Sequence, residues 1–257
     1  MPTPQAPVIN PSNASSWSFS YAPGAMQYRV SRSAAVESQS DSSSNREITT
    51  NVTHELITLT PAGDSGISFT AVVDTFSSTT QGLIGSVQPI QLPTEVSGIF
   101  ADNNLTIRSN GSSNKCNPVS SAIVSDLHNL LTQFPAQLSQ GLVWQDSVST
   151  TGCQAAIPTT SRTIRSYIVS GESTYEGRPI LVVQRTDTVQ AHGEGAQQQH
   201  ALKLDASGIG NAIYYLDTKD GRVVRLTTGQ ELTLMITASN KVHQFKQSSR
   251  QDFRLSP

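Results

Sequence analysis

Alternating apolar and polar positions dominate the first hundred residues of the chain. Segments 26–37, 47–60 and 67–76 are rich in β-branched and apolar residues and are separated by polar or Pro- and Gly-containing turns. This pattern predicts strands. A shorter apolar pair of segments surrounds Asp102-Asn103-Asn104 and predicts a hairpin over 98–107. Residues 25–108 are therefore expected to form an antiparallel meander.

The apolar spacing then changes from a strand period to a helical one. Pro118 suits the first turn of a helix and Pro135 would stop one, so the pattern predicts a helix over 118–134. Its apolar positions fall on a single stripe. They are Val119, Ile123, Val124, Leu127, Leu130, Leu131 and Phe134.

A second series of strand-like segments fills residues 142–255. Its clearest unit is a hairpin, in which two β-rich runs flank the turn Thr218-Lys219-Asp220-Gly221. Glycines at 207–210 and 228–229 predict further turns. The candidate strands are 142–148, 163–170, 179–189, 197–204, 210–216, 222–226, 231–238 and 242–253. So many strands joined by short turns imply one large sheet that curls or closes to protect its edges.

The sequence thus predicts a mainly β protein: a large curved antiparallel sheet or open β-barrel of long meander strands with one amphipathic helix. Residues 25–257 are expected to form one domain, preceded by an extended tail over 1–24 that a partner holds. In this tail Trp17, Phe19 and Tyr21 alternate. They predict a first edge strand, and the alternative is a strip that docks on a partner.

Charge and composition exclude some classes of function. Only 14% of the 257 residues are charged and the net charge is −2, so no basic surface is expected to neutralise the phosphates of a nucleic acid. No apolar run is long enough to span a membrane as a helix. The first residues do not resemble a signal peptide. We expect a periplasmic or extracellular protein whose export signal lies upstream of this numbering, or otherwise a cytoplasmic one.

The two cysteines, Cys116 and Cys153, flank the predicted helix. An even pair without a metal-binding quartet predicts one disulfide, which would join the helical segment to the sheet. Such a bond would contribute roughly 3–4 kcal/mol in the chain-entropy model and would indicate an oxidising compartment. The alternative is two buried thiols.

No group of residues matches a known catalytic or metal-binding pattern. His192, Glu194 and His200 have spacings unlike those of standard ligand sets, and a solvated hairpin tip explains them better. Glu172, Glu176 and Asp187 could supply paired acids for glycoside hydrolysis, but exposed acids at turns explain them better. We therefore expect no enzyme activity, cofactor or metal.

The order of elements resembles that of bacterial envelope proteins with an open antiparallel β-barrel and a helix, of the lipoprotein-carrier type or of uncharacterised exported families. The similarity rests on two meanders around one helix and on the hairpin from Tyr214 to Val224. It implies a barrel whose mouth holds an acyl chain, or a purely structural role. The implied lid is the apolar stripe of the helix, namely Ile123, Leu127, Leu130, Leu131 and Phe134.

Three functions follow from these observations. The first is a non-enzymatic accessory subunit that docks on the periplasmic face of a larger membrane-associated assembly, for which a bacterial photosynthetic reaction-centre complex is one specific host. The second is a carrier of a lipid or another apolar ligand. The third is a hydrolase of an unrecognised kind.

Overall fold

A computed structural model describes residues 16–40, 43–62, 66–81, 92–109, 117–154, 157–197, 200–239 and 241–256. Thirteen strands and one helix occur in these ranges. The strands are β1 (Ser16–Trp17), β2 (Gly24–Ser40), β3 (Ser43–Pro61), β4 (Ile67–Gln81), β5 (Thr94–Ala101), β6 (Asn104–Ser109), β7 (Leu138–Ser139), β8 (Val143–Gln154), β9 (Ile157–Tyr175), β10 (Arg178–Gln197), β11 (His200–Asp217), β12 (Arg222–Ala238) and β13 (Lys241–Leu255). The helix α1 is Pro118–Leu130.

Eleven strands form a single antiparallel sheet in the order β6-β5-β4-β3-β2-β13-β12-β11-β10-β9-β8. The two predicted meanders are joined because the last strand, β13, pairs with the first long strand, β2. The sheet curls until it is nearly closed into a barrel, with one seam between its edge strands β6 and β8. This confirms the predicted fold class.

Two predicted turns are wrong, and glycines are the reason. His200–Asp217 form the single strand β11, and Arg222–Ala238 form the single strand β12. Gly208 lies where a Cβ would be 1.9 Å from the Glu231 carbonyl oxygen, and a Cβ on Gly229 would be 2.7 Å from Asn211 Oδ1. These glycines permit close approach of β11 and β12 rather than a reversal of the chain.

Three other predicted hairpin turns are present in the described residues. Asp102 and Asn103 have φ of 49° and 58°, and Glu176 and Gly177 have φ of 50° and 76°. Two consecutive residues with positive φ are the type I′ geometry that matches the twist of paired strands. After β11, the Asp217 side chain accepts hydrogen bonds from the backbone amides of Lys219 and Asp220.

The helix begins as predicted but ends four residues early. Asn117 caps it by accepting hydrogen bonds from the amides of Val119 and Ser120, and Pro118 follows at the first helical position. At the other end the Tyr21 hydroxyl donates to the Leu130 carbonyl and accepts from the Thr132 amide, at 2.5 and 3.0 Å. This side chain binds the terminal backbone groups that another helical turn would use.

The N-terminal aromatic residues pack on their own domain. Phe19 is 7% exposed and contacts the rings of Tyr21 and Phe134 edge-on. Trp17 pairs in β1 with β7, and its indole NH donates to Glu172 at 2.7 Å. Of the predicted edge strand only Ser16–Trp17 forms a strand, and Phe19 is buried while Tyr21 is partly buried.

One apolar core fills the end of the barrel nearest the β9–β10 and β11–β12 turns. The apolar face of α1 packs there against inward-facing residues of both meanders, such as Tyr28, Val183 and Phe253. A separate apolar cluster, which we call the distal cluster, lies at the opposite end of β9–β13. It contains Ile157, Leu204, Ala206 and Leu234, with Leu202, Leu232, Ile236 and Phe245 packed around them.

Candidate functional site

A cavity of about 280 Å³ lies inside the second half of the barrel. One side is the polar face of α1, and the other is the inner surface of β8–β13. Leu234 and Ala206 of the distal cluster line the far end. Ser125 both lines the cavity and is exposed, so the cavity reaches solvent beside the helix.

Neutral polar side chains make up much of the wall. The hydroxyl-bearing residues are Ser121, Ser125, Thr150, Thr151, Thr159, Ser161, Thr163, Thr228 and Ser249. Thr150 and Ser161 share a hydrogen bond of 2.6 Å, and Thr228 donates to Gln251 at 3.0 Å. Gln154 of β8 hydrogen-bonds Gln247 of β13, which joins the first and last strands of the second meander near the cavity.

Arg185 is a buried cation of the wall, at 4% exposure. Its guanidinium binds Asp187 Oδ2 at 2.9 Å, Asn129 Oδ1 at 2.9 Å and the Tyr214 hydroxyl. Burial alone would lower the pKa of Arg185, but Tyr214 and Asp187 outweigh it and raise that pKa. The guanidinium is therefore a fixed cation, and its position is set by β10, β11 and α1 together.

Asp187, at the wall of the cavity, has a buried carboxylate oxygen without a partner in the described part of the chain. The residue is 9% exposed, and its Oδ1 is buried without a hydrogen-bond partner among the described residues. A carboxylate oxygen can accept two hydrogen bonds, and leaving a buried one unmade is costly. This unpaired acceptor is the group of the wall that most clearly requires a hydrogen-bond donor from a ligand.

A second arginine, Arg165, closes the seam of the barrel. It binds both oxygens of Asp146 on β8, at 2.6 and 2.7 Å, and donates to Asn103 Oδ1 at 3.3 Å. Asn103, in the turn between β5 and β6, donates to Asp146 at 2.6 Å. Because β6 and β8 are the edges of the sheet, these bonds connect the two edges through side chains.

His128 lies on the cavity face of α1. Its half-buried position and the nearby Arg165 lower its pKa to about 4, with burial as the larger cause. The ring is therefore neutral at pH 7. The cations of the wall are paired, Arg185 with Asp187 and Arg165 with Asp146.

On the opposite side of α1, a third arginine joins the helix to the first meander. Arg32 binds Thr53 and Glu55, each at 2.7 Å, and forms an ion pair with Asp126 of the helix. Burial raises the pKa of Glu55, although Arg32 and Thr53 partly offset it. Two carboxyl groups share one guanidinium here, away from the cavity.

The residues predicted to form a lid are part of the core instead. Ile123 and Leu127 are fully buried, and Leu130, Leu131 and Phe134 are nearly so. The apolar stripe points into the apolar end of the barrel. The opposite face of the helix carries Ser121, Ser125 and His128 toward the cavity. The helix is thus a wall of the cavity, and its polar face is the one a ligand would meet.

The remaining sequence candidates have different outcomes. Cys153 lines the cavity, but Cys116 lies outside the described residues, so their disulfide stays a prediction. Glu172 and Glu176 are exposed, as expected, whereas Asp187 is buried and the turn interpretation is wrong for it. His192 is half exposed and binds Asp205 at 2.8 Å. No group of three potential metal ligands occurs in the described ranges.

Sequence reasoning missed the arginine-centred interior. A signal was available in β10, where Leu181, Val183, Arg185, Asp187 and Val189 share one face of the strand. Two adjacent charges on an otherwise apolar inward face indicate a buried pair. The sequence does not show which groups the pair contacts, because Asn129 and Tyr214 come from distant elements.

Comparison with known proteins gives no relative. No protein-family model matches the chain, and no curated protein matches it. One solved structure, described as "Asymmetric conductivity of engineered proteins", is 8% identical over 89% of this chain and 99% of its own, with a TM-score of 0.22. Such a value supports no inference about fold or function. Among the described residues, no helix has the length and apolar composition to cross a membrane.

Proposed function

We propose that this protein is a non-enzymatic binding protein that holds a small polar ligand within the β8–β13 half of its barrel. The observation that carries the proposal is the cavity wall, in which hydroxyl groups surround two buried arginine–aspartate arrangements and an unused carboxylate oxygen. Concave sites with a few convergent polar groups are the usual binding sites of small molecules.

The size and chemistry of the cavity favour a polar ligand over a lipid. Its 280 Å³ equals the liquid volume of about nine waters, slightly below the usual range for drug-sized ligands. An acyl chain would bury apolar surface against Ser, Thr and Arg side chains and would leave their polar groups without partners. The lipid-carrier alternative therefore has less support from the wall than the polar one.

The test is thermal unfolding of the protein with two fractions of a cell extract, an aqueous fraction of small polar compounds and an organic fraction of lipids. A ligand that binds only the folded state at 100 times its Kd stabilises by about 2.7 kcal/mol. We expect the aqueous fraction to raise Tm and the lipid fraction to leave it unchanged. A shift with the lipid fraction alone contradicts the proposal.

Thr163→Phe supplies the matched variant, because Thr163 points into the cavity. Thr188→Phe is its control, since Thr188 is exposed on the outer face of the neighbouring strand β10. The cavity variant is expected to lose the shift and the outer variant to keep it. Equal responses of the two variants place the ligand elsewhere.

The accessory-subunit role remains a second candidate, and an apolar patch favours it. Val143, Ile164 and Ile168 are exposed by 63%, 39% and 43%, and share the outer face of β8 and β9 beside the seam. Ile168→Asp is expected to release a protein partner that co-purifies with the wild type from a membrane fraction, whereas Ile209→Asp, at a more exposed site on β11, should retain it. If both variants retain the protein partner, this patch is not its docking site.

For both candidate functions we also propose a periplasmic or extracellular location and a disulfide between Cys116 and Cys153. Measurement of free thiols in the unfolded protein, with and without reductant, tests the bond. Two thiols that react without reductant contradict it.

A further inference from the structure

The wall of the cavity specifies more than polarity, and this inference rests on the proposed binding function. We propose that the ligand is a neutral, hydroxyl-rich compound of about the size of a monosaccharide, which donates a hydrogen bond to Asp187 Oδ1. Four properties of the wall lead to this class of compound.

The first property is the unpaired oxygen of Asp187. Its other oxygen, Oδ2, binds Arg185 Nε and Nη2 at 3.2 and 2.9 Å, so the carboxylate is held in place while the buried Oδ1 has no hydrogen-bond partner among the described residues. A carboxylate can only accept. The ligand must therefore present a donor, which excludes purely apolar compounds and those with acceptors alone.

The second property is charge balance. Arg185 is paired with Asp187, Arg165 with Asp146, and the lowered pKa of His128 keeps its ring neutral at pH 7. A cationic or anionic ligand would bring an unmatched charge into a partly buried site, at a considerable desolvation cost. A neutral donor avoids this cost and still forms a charge-assisted hydrogen bond with Asp187, of the stronger kind.

The third property is the number of hydroxyl and amide groups that can both donate and accept. Ser161, Thr163, Thr228 and Gln251 lie along the inner surface of three different strands, β9, β12 and β13. A ligand hydroxyl also donates and accepts, so several hydroxyls on one small ring can meet partners on several strands at once. A ligand with a single polar group would leave most of them unused.

The fourth property is volume. The 280 Å³ cavity is slightly below the usual range for drug-sized ligands, and a compact ring with several hydroxyls suits it. The class of ligand is thus bounded by size, by charge and by the need for a donor.

Isothermal titration calorimetry with four defined probes tests this assignment. The probes are D-glucose and myo-inositol as neutral polyols, putrescine as a dication and palmitate as an apolar chain. We expect a saturable response to at least one polyol and none to putrescine or palmitate. Failure of both polyols to bind overturns the assignment, whatever the other two probes do.

Asp187→Asn tests the named contact. It keeps the size of the side chain and removes its charge, so we expect polyol affinity to fall about tenfold or more. The control is Asp252→Asn, which changes an ion-paired aspartate that binds Arg225 and Arg254 on the outer surface, and which should retain wild-type affinity. If Asp187→Asn does not fold, Thr163→Phe replaces it, with complete loss expected and Thr188→Phe unaffected.

The outcomes separate the two proposals. Binding of putrescine or palmitate that Thr163→Phe abolishes keeps the cavity as a binding site and overturns the neutral-polyol assignment. Polyol binding that persists in both Asp187→Asn and Thr163→Phe overturns the assignment to this cavity. Absence of any binding here, together with absence of a shift with either cell-extract fraction, overturns both.

Discussion

Acidification should destabilise the folded protein through His128. The size of this loss of stability follows from the pKa of His128 in the folded and unfolded states. The pKa of His128 is about 4 in the folded protein, against an ordinary value of 6.5 in the unfolded chain. A base with a lowered folded pKa binds its proton more readily when unfolded, so its stabilising effect is present above the unfolded value and is lost as pH falls. Between pH 7 and pH 5 the loss is about 2 kcal/mol.

Urea unfolding at pH 7 and pH 5 measures this effect, with His128→Gln as the perturbation. The variant has no group that protonates at this position, so its stability should fall by about 2 kcal/mol less than that of the wild type over the same interval. His54→Gln removes an exposed histidine of β3 and should leave the wild-type loss in place. Parallel pH dependences for wild type and His128→Gln would refute the neutral, partly buried ring.

Three further predictions concern the scaffold, and urea unfolding at pH 7 checks each. Tyr21→Phe removes the hydroxyl that binds the Leu130 carbonyl and the Thr132 amide, and should cost about 1–2 kcal/mol; no change would mean that the hydroxyl does not secure the end of α1. Gly208→Ala places a Cβ 1.9 Å from a carbonyl oxygen and should cost about 1–3 kcal/mol, whereas Gly152→Ala, with nothing within 4 Å, should be nearly neutral. Arg165→Met leaves Asp146 without its ion partner and should cost about 3–5 kcal/mol, unlike Arg162→Met on the exposed face of the same strand; equal effects would contradict the role of the seam.

The fold was predictable from local patterns because strand alternation and the helical stripe both report burial directly. The 3.6-residue spacing placed the start of α1 correctly, and Asp102-Asn103 and Lys219-Asp220-Gly221 marked real turns. The errors occurred where a distant element decides the outcome. Gly208 is required by the backbone of β12, and the end of α1 is set by Tyr21, about 110 residues away.

The candidate site was less predictable, because its groups come from many elements. Asp187 looks like an ordinary polar residue of a strand until its burial and its pairing with Arg185 are known. The apolar stripe of α1 suggested a lid over a lipid, yet that stripe is used by the core and leaves the polar face to the cavity. Periodicity identifies which face is buried, but it does not show what the opposite face encloses.

Native mass spectrometry of the protein purified under gentle conditions tests the central claim most directly. We predict that the wild type and Thr188→Phe carry a small, neutral, water-soluble compound in a ratio near one to one, and that Thr163→Phe does not. A bound fatty acid or phospholipid, or the same compound on all three proteins, would contradict a polar binding site inside the barrel.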